Sequence, residues 1–246
     1  MVRIKRGLLL GGLGLFLLTG LVYGLSWLFK NITVFSLQEV RISGLSKVKE
    51  EEVKKLLPIF RGENLFRLDL SEIKRRLESH PWIRRTYITR SLPYALEIRV
   101  EEEIPVAVTN LSGKLYFLNE EGKAFSEAPQ EALFSYPVVS FENPGLLKKE
   151  ADFLKLLAWV KKKQYYLPCY ESFSQVYLAR DRILLITKSG LKVRFEPGPF
   201  EDLKRAYLRL DKIVNYLYQK RLYSKAESVR LDYPEGRALL VYRREK

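Results

Sequence analysis

The chain has 246 residues, a formal net charge of +14 and 47% hydrophobic residues, with one cysteine and one histidine. A single cysteine excludes an intrachain disulfide, and a single histidine cannot supply the clustered ligands of a zinc site. The basic residues are scattered along the sequence rather than gathered in one tract, which argues against a nucleic-acid-binding protein.

Residues 7–29 form an uncharged stretch of 23 residues. A helix of that length reaches about 34 Å, which is enough to cross a hydrocarbon core of about 30 Å. A cleavable signal peptide is the alternative, but its apolar core is shorter and ends in small residues, whereas this run ends in Trp27, Leu28 and Phe29. We therefore expect an uncleaved transmembrane helix over residues 7–29 after a short tail over residues 1–6.

The charges before this run predict its orientation. Arg3, Lys5 and Arg6 precede it with no acidic residue among them. Short basic flanks stay in the cytoplasm, and long domains cross the membrane largely regardless of charge. We expect a cytoplasmic N-terminus, lipid around residues 7–29 and the bulk of the chain outside the cytoplasm. Glycines four residues apart near both ends of the run also allow weak self-association of the helix.

The residues that follow predict the order β-α-α-β-β. Asp69 is the expected N-cap of the second helix, with Glu72 three residues later in a variant of the capping box. Proline residues at 58 and 81 end the two helices. The alternation and spacing of apolar residues place the strands and helices at Leu37–Ser43, Lys49–Leu57, Asp69–Ser79, Ile83–Arg90 and Ala95–Glu101.

The second half predicts a β-rich region with two amphipathic helices, at Leu146–Lys163 and Phe200–Lys220. Apolar residues 147, 151, 154 and 158 form the expected inner face of the first helix. The strands are expected at residues 115–118, 124–125, 137–141, 175–178, 183–187, 191–195, 228–233 and 237–242.

No pattern in the sequence predicts catalysis. The chain has no nucleophile elbow, no metal-ligand cluster and no phosphate loop. Glu101, Glu102 and Glu103 are consecutive, and neighbouring residues of a strand face opposite ways, so we interpret them as a solvated strand end and not as an acid/base pair. We expect no catalytic, cofactor-binding or metal-binding residue and no enzyme activity. An anchored cell-wall hydrolase is the enzymatic alternative.

Five segments, each weak alone, occur in an order and spacing that resemble the POTRA domain of the bacterial cell-division family FtsQ/DivIB. They are Phe35 with Val40-Arg41-Ile42-Ser43-Gly44, Gly62–Asp69, His80-Pro81-Trp82-Ile83, Arg90-Ser91-Leu92-Pro93 and Glu103–Ala107. The resemblance implies an α+β fold with one N-terminal transmembrane helix. It also implies a POTRA domain at residues 35–103 and an FtsQ-type mixed β-domain at residues 104–243, which we expect to be rigidly joined.

The chain near its C-terminus resembles the last strand and turn of the same family. A common form of the family pattern is Asp-Leu-Arg-Tyr, where this chain has Arg230-Leu231-Asp232-Tyr233 with the two charges exchanged. A partner segment is expected to add a strand at this end of the β-domain. The residues that the resemblance implies for partner binding are Tyr233, Glu235, Gly236, Ala238 and Leu240. The alternative is an ordinary closing hairpin with the tyrosine in the core.

The resemblance implies a function as well as a fold. It implies a non-enzymatic scaffold of the divisome, anchored in the cytoplasmic membrane at the division septum, with FtsB-like and FtsL-like proteins as partners. The alternative is a POTRA-type chaperone or secretion accessory that binds unfolded strands.

Overall fold

The computed structural model describes residues 15–24, 32–59, 61–233 and 237–243. The chain divides into two compact units, Met1–Glu102 and Glu103–Lys246. Within the predicted transmembrane segment, residues 15–24 are helical and are labelled α1, and the rest of that segment lies outside the described residues. Among the helices that the structure describes, none combines the length and the apolar character needed to cross a membrane.

The first unit has the predicted order β-α-α-β-β. Its strands form a three-stranded sheet in the order β1-β3-β2, with β1 parallel to β3 and β2 antiparallel to β3. The elements are β1 (Glu39–Ser43), α2 (Glu50–Leu56), α3 (Leu70–Glu78), β2 (Ile83–Ser91) and β3 (Ala95–Glu102).

The core of this unit lies between helix α3 and the sheet. Ile73 and Leu77 of α3 pack in one apolar cluster with Leu96 and Ile98 of β3. Asp69 caps α3 as predicted, because its carboxylate accepts the N–H groups of Ser71 and Glu72. The carboxylate of residue 72 binds the guanidinium groups of residues 75 and 76, which are one turn further along the helix.

The second unit is built on a nine-stranded sheet in the order β12-β11-β10-β9-β8-β7-β4-β5-β6. Its strands are β4 (Ala107–Leu111), β5 (Lys114–Leu118), β6 (Ala124–Glu127), β7 (Val138–Phe141), β8 (Phe173–Leu178), β9 (Ile183–Thr187), β10 (Lys192–Phe195), β11 (Ala226–Arg230) and β12 (Leu239–Tyr242). Its helices are α4 (Ala132–Ser135), α5 (Gly145–Lys149), α6 (Ala151–Lys162) and α7 (Phe200–Gln219).

Helices α6 and α7 contribute most of the helical side chains in the core of this unit. The sequence predicts an apolar stripe on α7 at Phe200, Leu203, Tyr207, Leu210, Val214 and Leu217. The last five are buried as predicted, and Phe200 is only partly buried. The stripe makes one face of α7 part of the core, so a flank of the same helix is left to form surface.

The predicted single helix at Leu146–Lys163 is wrong, because the structure has two helices there. Glu150 lies between α5 and α6 with φ −97° and ψ 26°, outside the helical region. The break lets a different set of side chains reach the core. Ala151 and Ala158 of the predicted inner face are only partly buried. The residues of the two helices that are buried are Leu146, Leu147, Phe153, Leu154, Leu156, Leu157 and Val160.

The interpretation of residues 101–103 as a solvated strand end is also wrong for two of the three. The carboxylate of Glu102 accepts main-chain N–H groups of residues 46, 47 and 48 at 2.8–3.0 Å. Burial alone would raise the pKa of Glu102, but these hydrogen bonds outweigh it and lower the pKa. Glu103 is buried and accepts hydrogen bonds from Asn119 and Lys123. Both carboxylates therefore have structural roles.

The turn between β5 and β6, which contains Gly122, lies close to α5. Gly113, in the turn between β4 and β5, makes no such approach, so the two glycines together test this contact. Both have positive φ, +77° and +84°. A Cβ at Gly122 would lie 2.2 Å from the carbonyl oxygen of Leu147, whereas a Cβ at Gly113 would meet nothing within 4 Å. We expect Gly113→Ala to lower the free energy of unfolding by about 1 kcal/mol, the cost of the left-handed conformation.

Gly122→Ala is expected to lower the free energy of unfolding by about 3 kcal/mol or more, because the backbone at Leu147 must also move. Denaturant titration followed by circular dichroism measures both variants. Equal losses for Gly122→Ala and Gly113→Ala would show that the turn does not press on α5.

Candidate partner-binding site

Strand β12 lies at one end of the nine-stranded sheet. It pairs with β11 on one side, and no strand of the described residues pairs with its other side. An edge strand presents a row of unpaired N–H and C=O groups, which is a template for another strand.

The side chains of β12 make this edge apolar. Leu239, Val241 and Tyr242 are 41%, 36% and 42% exposed, and Leu240 is partly buried against the core of the unit. Natural proteins usually protect an edge with charges, bulges or short strands. An edge with exposed apolar side chains instead fits a surface that a partner covers.

The opposite end of the same sheet, β6, is protected. It has four residues and one register shift in its pairing, as β12 does, so length and register do not separate the two edges. The large apolar side chain of β6, Phe125, is buried. Glu127 at its end pairs with Lys114 at 3.1 Å. An edge with a charge pair and no exposed large apolar side chain is a poor template for strand addition.

The two edges of the first unit carry protecting contacts of another kind. On β2, the main-chain N–H of Thr86 donates to the carboxylate of Glu78 at 2.7 Å, which occupies an outward donor of that edge. On the approach to β1, the N–H of Leu37 donates to the carbonyl of Glu63 at 2.8 Å, and Gly62 donates back to Leu37. Of the four edges in the described sheets, β12 is the one that exposes three apolar side chains.

The predicted site residues fall at the start of this edge. Ala238 is exposed just before β12, and Leu240 lies within it. Tyr233 follows β11 and is 37% exposed, so the alternative that placed this tyrosine in the core is wrong. The guanidinium of Arg230 lies over its ring, 5.2 Å from the centroid. Glu235 and Gly236 lie outside the described residues, and their part in the site remains a prediction.

The exchanged charges at residues 230 and 232 form a compact cluster with Arg194 of β10. The guanidinium of Arg230 bonds both carboxylate oxygens of Asp232, at 3.2 and 3.0 Å. Arg194 Nε lies 2.8 Å from the same carboxylate, but no acceptor lies along its N–H, so that contact is coulombic. Burial raises the pKa of Asp232, and the two arginines outweigh burial and lower it.

A groove runs between α7 and β12, with a volume of about 450 Å³. Its α7 wall is a second stripe of the helix, and its β12 wall contains two of the predicted site residues. The lining residues are Arg209, Lys212, Ile213, Tyr216, Ala238 and Leu240. The sequence prediction missed the four α7 residues, because the pattern shows the helix and its buried stripe but not which strand lies beside its flank. Within the described ranges, His, Cys, Asp and Glu form no group that could hold a metal ion.

A two-helix unit over a β1-β3-β2 sheet, followed by a mixed sheet with an open last strand, defines a POTRA-type protein with an added β-domain. Residues 35–103 match the family described as "POTRA domain, FtsQ-type". A cell division protein FtsQ of Anaeromyxobacter is 33% identical over 205 residues, which cover 79% of this chain and 67% of that protein. The chain belongs to the FtsQ family of bacterial cell-division proteins.

Two further relatives named cell division protein FtsQ differ in coverage. The protein of Myxococcus fulvus is 32% identical over 68% of this chain, and the matched region spans only 61% of that protein. The protein of Geotalea daltonii is 26% identical over 94% of this chain and 85% of that protein. The second of these matches includes both units of the chain.

The cluster at Asp232 yields a prediction about stability and pH. Because its folded-state pKa is lowered, the stabilisation is present above the unfolded-state pKa of about 3.9 and is lost as the pH falls through the folded-state pKa. We expect Asp232→Asn to lower the free energy of unfolding by about 1–3 kcal/mol at pH 7, with a smaller loss below about pH 4. Denaturant titrations at several pH values measure this difference.

The same cluster predicts that residues 230 and 232 cannot take the charges of the common family pattern without a loss of stability. Arg230→Asp combined with Asp232→Arg would place an arginine beside Arg194, so we expect the double variant to be no more stable than Asp232→Asn. Asp181→Asn is the control, because the Asp181 side chain is 62% exposed and contacts the same Arg194 at 3.7 Å. If the double variant is as stable as the original chain, Arg194 does not constrain which charges residues 230 and 232 carry.

Proposed function

We propose that this chain is a non-enzymatic, membrane-anchored scaffold of the bacterial divisome. Its open β12 edge binds an FtsB/FtsL-like complex by strand addition and recruits that complex to the septum. The single observation that carries the proposal is that β12, alone among the edges of the described sheets, exposes three apolar side chains, those of Leu239, Val241 and Tyr242. Membership of the FtsQ family supplies the division process and the class of partner.

Strand addition suits this edge for energetic reasons. Each added main-chain hydrogen bond satisfies a group that is otherwise exposed only to water, and the side chains on alternate faces give specificity. Leu239 and Val241 point to one face of the sheet, and Ala238 and Leu240 to the other, which also forms one wall of the groove beside α7. A partner strand with apolar residues at alternate positions complements both faces.

The proposed location follows from the sequence of the N-terminal region. Residues 7–29 contain no charge and follow a basic tail, so we propose that they anchor the chain in the cytoplasmic membrane with the tail in the cytoplasm. Both folded units then lie on the outer side of that membrane, where the extracytoplasmic parts of other anchored division proteins are within reach.

The test removes single N–H groups from β12. Successive N–H groups of a strand point to opposite sides, so one of the variants Val241→Pro and Tyr242→Pro loses a donor of the open edge, and the other loses a donor that faces β11. We expect the first kind to stay folded and to bind the co-expressed FtsB/FtsL-like complex at least about tenfold more weakly. Affinity is measured by titration with the full chain in detergent.

Val241→Ala and Tyr242→Ala are the matched controls, because they shorten the same side chains and keep the N–H groups. Circular dichroism and thermal unfolding identify any variant that has lost β12. If both proline variants stay folded and bind the complex as tightly as the original chain, the strand-addition proposal is wrong.

A further inference from the structure

The segment that leads into the first unit, residues 32–38, is held against the loop at residues 61–67. The side-chain amide of Asn64 donates to the carbonyl of Ile32 at 3.0 Å. Main-chain hydrogen bonds of 2.8 Å join the same two segments at three further points. The position of Ile32 is thereby fixed relative to the sheet and helices of the first unit.

Little chain separates this entry segment from the proposed membrane anchor. The uncharged run ends at Phe29, three residues before Ile32. Three residues span at most about 11 Å, and the headgroup layer outside the hydrocarbon core is about 5–8 Å thick. With residues 7–29 in the membrane as proposed, Ile32 lies within or just outside that layer. The surface of the first unit around the entry segment is therefore close to lipid.

This surface exposes apolar side chains. Strands β1 and β3 are parallel, and their first residues are register partners. The turn between β2 and β3 therefore lies beside the entry segment, and the carbonyl of Tyr94 in that turn accepts the N–H of Gln38 at 2.9 Å. Val34 of the entry segment is 61% exposed, and Leu92 and Tyr94 of the turn are 56% and 40% exposed. None of these three residues belongs to a strand, so they do not form a template for strand addition.

Basic residues lie at both ends of the loop that holds the entry segment. Arg61 and Arg67 are exposed. Two nearby carboxylates are engaged within the unit, since Glu39 pairs with Arg41 at 2.7 Å and Asp69 caps α3. Exposed arginines beside apolar and tyrosine side chains suit the surface of an anionic membrane. Guanidinium groups bind the lipid phosphates there, and the apolar side chains reach between the headgroups.

We infer that Val34, Leu92, Tyr94 and the two arginines dock the first unit on the anionic phospholipid surface of the membrane that holds residues 7–29. The inference rests on the proposed function, because the anchor is what brings this surface within reach. A single helical anchor holds the unit near the membrane but does not set its tilt. Contact at the entry segment and at the β2–β3 turn gives two further points, which together set the tilt of the first unit.

The test attaches an environment-sensitive fluorophore to single cysteines of the full chain in phosphatidylglycerol vesicles, with Cys169→Ser removing the native thiol. We expect labels at Val34→Cys and Leu92→Cys to be quenched by lipids that carry a spin label at the headgroup. Glu101→Cys is the matched control, because it is exposed and lies about 20 Å along β3 from the turn. Its label is expected to stay unquenched. Circular dichroism confirms that each variant is folded.

Arg61→Glu tests the contribution of charge. We expect it to lower the ratio of quenched to unquenched label at Val34→Cys about fivefold or more, and we expect the original chain in phosphatidylcholine vesicles to show a similar loss. Arg85→Glu is the matched control, because it makes the same change in net charge at an exposed residue near the start of β2. Equal quenching in Arg61→Glu and in the original chain would overturn the contact with anionic lipid.

The outcomes separate this inference from the proposed anchor, which is reported by a label at Val22→Cys in α1. If that label is not quenched by spin labels on the acyl chains, residues 7–29 are not in lipid, and both the anchor and the docking are wrong. If it is quenched while the labels at residues 34 and 92 resemble the control at residue 101, the anchor stands and the inference is overturned. If residues 34 and 92 are shielded only after the FtsB/FtsL-like complex is added, this surface contacts protein and the inference is also overturned.

Discussion

An open β-sheet has two edge strands, and every edge carries main-chain donors and acceptors that the sheet cannot satisfy. The two sheets of this chain therefore have four edges, and three of them carry contacts or irregularities that discourage pairing. A carboxylate accepts an N–H of β2, the segment at residues 62–65 pairs ahead of β1, and β6 ends in an ion pair. The remaining edge, β12, exposes three apolar side chains, and no strand of the described residues covers it. The proposed strand addition therefore uses the edge with the most exposed apolar surface.

A small set of charges lies next to the strand that pairs with the open edge. β12 pairs only with β11, and β11 is held against β10 by parallel pairing over three residues. The carboxylate of Asp232 contacts arginines on both of these strands, Arg194 and Arg230, directly where the chain leaves β11. This cluster links the end of β11 to β10. It also gives a physical reason for the exchanged charges, because an arginine at residue 232 would face another arginine.

Much of the fold was predictable from the sequence, because local patterns dominate it. The order of the first unit, the Asp69 cap and the stripe of α7 all follow from short-range periodicity and capping chemistry. The predictions failed where distant contacts decide the outcome. A buried Glu150 breaks the expected helix, and Glu102 reaches back to main-chain groups more than fifty residues earlier. The groove beside β12 is lined by residues of α7 and by residues of the β12 segment that come about thirty positions later. Periodicity within one element cannot predict which distant element lies beside it.

An uncovered apolar edge has a consequence for the amount of this protein that a cell can hold. A copy that has no partner presents the same template to other copies and to unfolded chains, and edge-to-edge pairing between identical strands leads to aggregates. If a partner covers this edge as proposed, synthesis in excess of that partner would produce self-associated material rather than a reserve of free protein. The stoichiometry of the two proteins becomes a condition of solubility, and degradation of unpaired copies would serve to maintain it.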